Sequence, residues 1–208
     1  SEFSKSEILK YYDVKPDKIH VVYNAVTKAL ENNTPDNQKE KYILTVGSLD
    51  PRKNFKTLIR AFSDERLKHR ELRIVGGTNK VFGELGYDMQ NYPNIKFLGR
   101  ISDEELKNQY RNAHLFILAS LYEGFGIPPL EALGNGCPIA ISDIPVFHEI
   151  FEDAAVYFNP TDVNDIISTI LKSYNNSMPH SVDTTNRILK KFSWNHSAKK
   201  ILSLLNTI

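Results

Sequence analysis

Several features that mark particular protein classes are scarce or missing in this chain of 208 residues. Its single cysteine, Cys137, excludes an internal disulfide and favours a reducing compartment, with the cytoplasm as the default location. No stretch approaches the roughly 18 apolar residues of a membrane-spanning helix. The net charge of +1 gives no overall excess that would attract nucleic acid or an anionic membrane. We therefore expect a soluble chain with no nucleic-acid partner.

The chain also lacks the motifs of two common kinds of site. The loop Gly47-Ser-Leu-Asp-Pro-Arg-Lys-Asn54 follows the first buried strand of the main domain but is not Gly-x-Gly-x-x-Gly, which counts against a dinucleotide-dependent oxidoreductase. His148, His180 and His196 show no metal-ligand spacing with cysteines or carboxylates. We therefore predict no metal site.

The residues that are present form an alternation of strands and helices. Buried strands are predicted at 42–46, 72–75, 95–98, 115–118, 138–141 and 155–158, with helical segments between most of them. A short strand is also expected from Lys18 to Tyr23, and the polar residues 32–41 are typical of a linker. Strands joined by crossover helices favour an α/β fold: a doubly wound, mostly parallel sheet with helices on both faces.

Local signals predict the ends of three helices. Ser102 and Glu105 form a capping box at the start of a helix that runs to Asn112. A second helix is predicted to begin at Pro129 and to end at Asn135-Gly136. Ser193 can cap a third helix, which carries an apolar stripe. The stripe consists of Trp194, Ala198, Ile201, Leu202 and Leu205.

The segment from Glu123 to Ala132 is the most informative in the chain. It places Glu123 on the loop after a strand buried on both faces and Glu131 in the first turn of the following helix. Gly124 and Gly126 let a ligand approach the main chain, and the unpaired amides at the helix start offer donors to an anion. The pattern predicts a negatively charged, polyhydroxylated ligand in a cavity shared by both carboxylates.

Other polar loops are expected beside this segment. In a doubly wound sheet, ligands bind outside the carboxyl ends of the strands, where Gly76-Gly77 and Gly99-Arg100 also fall. Arg52 and Lys53 precede a helix expected near Asn54, a position from which they can bind phosphate. Their charges would contribute more than the helix dipole, which stabilises an anion by only about 0.3–1 kcal/mol.

These motifs, in this order, resemble the donor-binding, carboxyl-terminal half of retaining nucleotide-sugar glycosyltransferases of the GT-B architecture, the glycosyl transferases group 1 family. The resemblance spans nearly the whole chain. Its most specific part is the pair of glutamates, Glu123 and Glu131, with seven residues between them. Six further segments fit the same template: Ser1-Glu-Phe-Ser-Lys-Ser-Glu-Ile8, Lys18 to Asn24, Val46 to Asn54, Phe97-Leu-Gly99, Asp153-Ala-Ala155 and Phe192-Ser-Trp194.

The resemblance implies roles for individual residues and a Rossmann-like fold. Lys53 would contact the donor diphosphate, Glu123 would bind hydroxyls of the transferred sugar, and Glu131 would bind the ribose. The amides around Gly124, Phe125 and Gly126 would hold sugar and phosphate. Gly47 belongs to the phosphate loop, and the loop containing Arg100 would face the base.

One departure from the family pattern concerns the phosphate loop. Many members carry arginine after its glycine, where this chain has Ser48. We expect Arg52 to replace that phosphate contact. The sequence around Gly47 resembles a subgroup often assigned as mannosyltransferases, which suggests GDP-mannose, with UDP-sugars as the alternative.

The resemblance also implies an organisation and a set of partners. Residues 1–40 would form a first segment and interdomain linker, 41–192 the donor-binding domain, and 193–208 a helix that packs toward an amino-terminal domain. That domain would hold a glycan or lipid-linked acceptor, so the 208 residues alone should bind nucleotide sugar but transfer little. We expect no cofactor and no required metal, and a location in the cytoplasm or at the inner face of the cytoplasmic membrane through peripheral association. Two alternatives remain: a non-catalytic nucleotide-binding regulatory module, or half of a nucleotide-sugar epimerase.

Overall fold

The computed structural model describes residues 1–26, 40–48, 50–76, 91–175 and 181–206. The strands are β1 Tyr42–Val46, β2 Glu71–Val75, β3 Ile95–Gly99, β4 Leu115–Leu118, β5 Ile139–Ser142 and β6 Ala155–Phe158. The α-helices are α1 Glu2–Tyr11, α2 Phe55–Phe62, α3 Asp103–Asn112, α4 Ile127–Gly134, α5 Pro145–Phe151, α6 Val163–Ser173, α7 Val182–Lys191 and α8 Trp194–Leu205.

The six strands form one parallel sheet in the order β3-β2-β1-β4-β5-β6. This order is that of a doubly wound, Rossmann-like sheet, in which the chain leaves the centre in one direction after β1 and in the other after β4. The predicted α/β class is therefore confirmed. The sequence predicts a mostly parallel sheet, and in the structure every pairing of the described strands is parallel.

Hydrophobic layers cover both faces of the sheet because successive residues of a strand point to opposite sides. In β4, Phe116 packs in a cluster with side chains of α3, α4, α5 and α7. Its neighbour Ile117 packs in a second cluster with side chains of α2 and α6. The two central strands, β1 and β4, are thus buried between hydrophobic layers on both faces.

Most predicted helix and strand positions are confirmed, several to the residue. Ser102 and Glu105 form the predicted capping box, and Asn135 caps the end of α4. The Ser193 hydroxyl accepts a hydrogen bond from the His196 amide at the start of α8. The stripe of α8 lies mostly in solvent, with Trp194, Ile201, Leu202 and Leu205 all exposed.

Two predictions are wrong. Residues 18–23 form no strand: a short 3₁₀ turn ends at Lys18, and the residues after it have no strand partner among those described. Helix α4 begins at Ile127 rather than Pro129, so both prolines lie in its first turn and Glu131 lies beyond that turn. Proline is tolerated there because amides of the first turn have no acceptor within the helix. Most of the expected linker, and Gly77, lie outside the described residues.

Candidate functional site

The loops after β1 and β4 meet at the centre of the sheet. These strands are neighbours, and beyond them the chain diverges to the two edges, which leaves a crevice at their carboxyl ends. The Leu121 amide donates a 2.7 Å hydrogen bond to the Arg52 carbonyl and so joins the two loops directly. The fold therefore brings Lys53 and Glu123 to one place although 70 residues separate them.

Lys53 and Glu123 form an ion pair at this junction. The Lys53 Nζ lies 2.6 Å from Oε1 of Glu123, and the two side chains are only 14% and 11% exposed. The Ser120 hydroxyl donates to the same Oε1 at 2.8 Å. Among the described residues, Oε2 of Glu123 accepts no hydrogen bond. The pair thus combines a shielded cation with a carboxylate oxygen that is open to a further donor, such as a ligand hydroxyl.

The backbone around Lys53 is fixed on both sides. Asn54 adopts the left-handed conformation, which asparagine tolerates better than most residues, with φ +54°. Its side chain donates to the Pro160 carbonyl at 2.8 Å and accepts from the Thr57 hydroxyl at 2.7 Å. The aliphatic part of Lys53 lies along Gly47. Lys53 is therefore held at the end of a short 3₁₀ turn and directed to the crevice.

The loop after Glu123 supplies backbone groups. Gly126 has φ +104°, and a Cβ there would lie 2.9 Å from Cε1 of Phe147, so only glycine fits. The Phe125 ring is buried in an edge-to-face contact with Phe192 at 5.4 Å between centroids. Phe125 therefore anchors the loop through its side chain and can contact a ligand chiefly through its backbone.

A cleft of about 420 Å³ opens over these groups. Its lining comes from the first segment, the loops after β1 and β4, and the start of α4, and it includes Ser4, Asn24, Lys53, Glu123 and Gly126. Its size is in the range of small-molecule sites. The cleft has a cation, a carboxylate and loop amides in its walls, which suits a ligand with both phosphate and hydroxyl groups.

Glu131 faces a different hollow, of about 280 Å³, between α3 and α4. Tyr110 donates a 3.0 Å hydrogen bond to its carboxylate, and Asp103, Lys107 and Trp194 also line the hollow. Burial raises the pKa of Glu131, the Tyr110 hydrogen bond partly opposes the shift, and the charge of Asp103 adds to it. The expected single cavity for both glutamates is therefore not what the structure shows.

Arg52 points to its own neighbour rather than into the cleft. Its guanidinium forms a forked interaction with Asp50, at 2.9 Å between Nη2 and Oδ2, and its side chain is exposed. The hydrogen bonds from Arg52 lower the pKa of Asp50. The same arrangement recurs at Asp64 and Arg66, where an aspartate also caps a 3₁₀ turn. Arg52 thus has a local structural partner, and it is not among the residues that line the cleft.

The remaining predicted positions lie around the crevice. Arg100 is exposed after β3 and lines neither hollow. Gly76 has φ +99°, and a Cβ there would meet the Gly47 carbonyl oxygen at 2.6 Å. Close packing of the loops after β1 and β2 therefore requires glycine at 76.

Sequence reasoning gave no role to two contacts at the site. Ser120 belongs to the recognised motif, and its position three residues before Glu123 is the only signal that could have shown their hydrogen bond. Glu149 of α5 accepts hydrogen bonds from α1, almost 150 residues away in sequence, and no local pattern indicates this.

Neither a membrane-spanning helix nor a cluster of three metal-ligating side chains occurs in the part of the chain that the structure describes.

Comparison with known proteins identifies the family. The model of the family "Glycosyl transferases group 1" matches residues 26–190. The O-antigen chain mannosyltransferase RfbU of Salmonella typhimurium is 31% identical over 95% of this chain and 55% of its own length. The O-antigen chain mannosyltransferase B of Escherichia coli is 28% identical over 98% of this chain and 58% of its own. The chain thus spans little more than half the length of these relatives.

Solved structures share the fold. Anabaena HepE, solved with UDP and glucose, superposes over 100% of this chain and 62% of its own, with a TM-score of 0.84 and 17% identity. Staphylococcus aureus TarM superposes over 99% of this chain and 43% of its own, with a TM-score of 0.81 and 22% identity. The family match, the relatives and the shared fold lead to one conclusion: the chain belongs to the glycosyl transferases group 1 family.

Proposed function

We propose that this chain is the donor-binding half of a retaining glycosyltransferase that transfers a hexose from a nucleotide sugar to a glycan or lipid-linked acceptor. The observation that carries the proposal is the Lys53–Glu123 pair in a cleft at the switch point of the sheet. A shielded cation suits the donor diphosphate, and a carboxylate oxygen open to a donor suits sugar hydroxyls. Amides at the start of α4 add further donors to an anion.

GDP-mannose is the first candidate donor, since the curated relatives named above are mannosyltransferases. UDP-sugars are the alternative. Glu131 would bind the ribose from its separate hollow, so the nucleotide would extend from the cleft toward α3. Arg100 would lie at the base end. Arg52 would reach phosphate only by leaving Asp50, and for that reason we assign the phosphate contact primarily to Lys53.

The protein's contribution to transfer would be electrostatic. The acceptor hydroxyl would attack the anomeric carbon from the face that the diphosphate leaves, so that one bond from that carbon to oxygen breaks as another forms. The departing diphosphate would take the hydroxyl proton. Lys53 and the loop amides would stabilise the negative charge growing on the diphosphate, while Glu123 holds the sugar. Neither glutamate acts as a nucleophile in this scheme.

The acceptor would be held by a part of the protein beyond these residues. The relatives are almost twice as long, and holding an acceptor while excluding water takes a second surface across the cleft. We therefore propose that the 208 residues bind donor but transfer sugar poorly by themselves. We also place the whole protein in the cytoplasm or at the inner face of the cytoplasmic membrane, in polysaccharide biosynthesis.

Calorimetric titration with GDP-mannose, GDP, UDP-glucose and UDP tests the proposal. At least one nucleotide sugar should bind, and Lys53→Met should weaken that binding by about 1.5–3 kcal/mol, the contribution of a charge-assisted hydrogen bond. Lys56→Met is the matched control, because Lys56 lies three residues further on and is exposed.

No heat with any of the four ligands, from a chain shown to be folded by circular dichroism, would contradict the proposal. Binding of bare nucleotide without any effect of Lys53→Met would instead favour a non-catalytic nucleotide-binding module. Transfer of sugar by these residues alone at ordinary enzymatic rates would refute the expected need for a second domain.

A further inference from the structure

Helix α1 lies against the loop that carries the cleft amides. The Ser1 and Ser4 hydroxyls both donate to the Gly124 carbonyl, at 2.7 and 3.1 Å. Both serines also line the cleft. The Phe3 ring contacts the Tyr122 ring at 5.6 Å between centroids, on the other side of Glu123 in sequence. The start of α1 is therefore in contact with the residues on both sides of Glu123.

Glu149 holds α1 in this position. Its Oε1 accepts from the Glu2 amide at 2.8 Å, and its Oε2 accepts from the Phe3 amide at 2.9 Å. The Tyr23 hydroxyl donates a third hydrogen bond, to Oε1 at 2.9 Å. A carboxylate at the start of a helix is favoured both by the free amides and by the helix dipole. Glu149 of α5 thus fixes α1 to the donor side of the molecule.

The contact with Gly124 determines where the next amide points. In a trans peptide, the carbonyl of one residue and the amide of the next point in opposite directions. Because the serines hold the Gly124 carbonyl toward α1, the Phe125 amide is directed away from α1. Within the residues that the structure describes, the Phe125 and Gly126 amides donate to no acceptor. Both residues line the cleft, so both amides are unused donors there, and the Phe125 amide is the one that the Gly124 carbonyl orients.

We infer that Glu149, Ser1 and Ser4 are positioning residues of the donor site. Glu149 fixes the start of α1, the two serines fix the Gly124 carbonyl, and the fixed peptide presents the Phe125 amide to the phosphate or sugar of the ligand. The inference rests on the proposed function, since it assumes a nucleotide-sugar ligand in the cleft. It gives a role to Ser1 and Ser4, which belong to a matched segment without an assigned function, and to Glu149, which lies in none of the matched segments: α1 must keep its contact with the loop for the loop to bind donor.

The test compares two ligands on the same folded variants. The double variant Ser1→Ala, Ser4→Ala should bind the preferred nucleotide sugar about 3- to 10-fold more weakly, the loss expected when an oriented hydrogen bond is lost. Binding of the matching nucleoside monophosphate, which lacks the sugar and its attached phosphate, should change less than twofold. Glu149→Ala should reproduce this split with a loss of at least about 10-fold, because three hydrogen bonds to the first segment disappear together.

Ser6→Ala is the control within the same helix, because among the described residues the Ser6 hydroxyl donates to the Phe3 carbonyl one turn earlier and to no cleft residue. With threonine instead of alanine at position 4 of the double variant, much of the affinity for nucleotide sugar should return, since Ser4→Thr keeps the hydroxyl. In NMR spectra of the ligand-free double variant, the amide signals of Phe125 and Gly126 should shift, whereas those of residues around the Glu131 hollow should not.

The outcomes separate this inference from the proposed function. If the parent chain binds nucleotide sugar and the double variant binds it equally well, the positioning role is wrong and the proposed function stands. An equal loss of both ligands would show a general structural defect and would also overturn the inference. If the parent chain binds no nucleotide sugar, both proposals fail.

Discussion

The Lys53–Glu123 pair should contribute to stability as a coupled unit, and this can be measured without any ligand. Replacing Lys53 by methionine keeps the side-chain volume but leaves the Glu123 carboxylate with the Ser120 hydroxyl as its single described hydrogen-bond partner. Breaking a fully buried pair costs about 3–5 kcal/mol, and partial exposure of both groups lowers our expectation to about 2–3 kcal/mol. For a chain of this size, that corresponds to a fall in Tm of about 4–12 °C.

A double-mutant cycle with Glu123→Gln isolates the interaction, with urea unfolding as the assay. Because the second change removes the charge that the first leaves uncompensated, the double variant should be more stable than the sum of the single changes predicts. We expect a coupling energy of about 1–3 kcal/mol. The exposed pair Lys68 and Glu65 provides a control cycle, for which we expect at most about 0.5 kcal/mol.

Additivity of the Lys53 and Glu123 changes within about 0.5 kcal/mol would refute the reasoning. It would mean that the two side chains do not interact in solution at the 2.6 Å distance of the structure. A coupling as weak as that of the exposed control pair would have the same meaning.

Three further predictions concern other parts of the molecule. Gly126→Ala should lower the free energy of unfolding by about 2–4 kcal/mol, because φ is +104° and the new methyl group would meet Phe147; an unchanged urea midpoint would contradict this. Burial raises the pKa of Glu131, so folding favours the protonated carboxyl. The stability that this group contributes is present below the unfolded-state pKa and is lost as pH rises through the folded-state pKa. Relative to the parent chain, Glu131→Gln should therefore be more stabilising at pH 7 than at pH 4, and equal differences at both pH values would argue against the burial effect. The exposed stripe on α8 should promote self-association, so Leu202→Glu with Leu205→Glu should lower the average mass in sedimentation velocity at high concentration, whereas a parent chain that stays monomeric would exclude this role for the stripe.

The fold could be predicted from the sequence where local pattern and burial agree. Strands β1, β4 and β6 were predicted to the residue, because short apolar runs bounded by polar loops have few other solutions in an α/β chain. The segment 18–23 has the composition of a short strand but pairs with no strand among the residues that the structure describes. Strand formation depends on a neighbour, and a single segment does not carry that information.

The site could be predicted only as far as its loops. Lys53 and Glu123 meet because the strand order brings their loops together, which the motifs imply. The direction of Glu131 could not be predicted, because each residue of an α-helix turns by about 100° and the helix begins two residues earlier than expected. The Asp50 contact of Arg52 was overlooked although the sequence repeats it at Asp64 and Arg66. The role of Glu149 depends on tertiary packing alone.

The central position of β1 and β4 has a consequence for how such a protein can change over evolution. Each strand carries one member of the Lys53–Glu123 pair on the loop that follows it, and Ile43, Leu44, Leu115 and Phe116 are entirely inaccessible to solvent. Substitutions at the outer surface therefore leave the spacing between that ammonium and that carboxylate almost untouched. Around the second hollow, Asp103 and Lys107 lie on the exposed face of α3, where substitutions disturb the core least. Under the proposed function, a lineage with this architecture would change the groups around the nucleotide while it inherits the same charged centre.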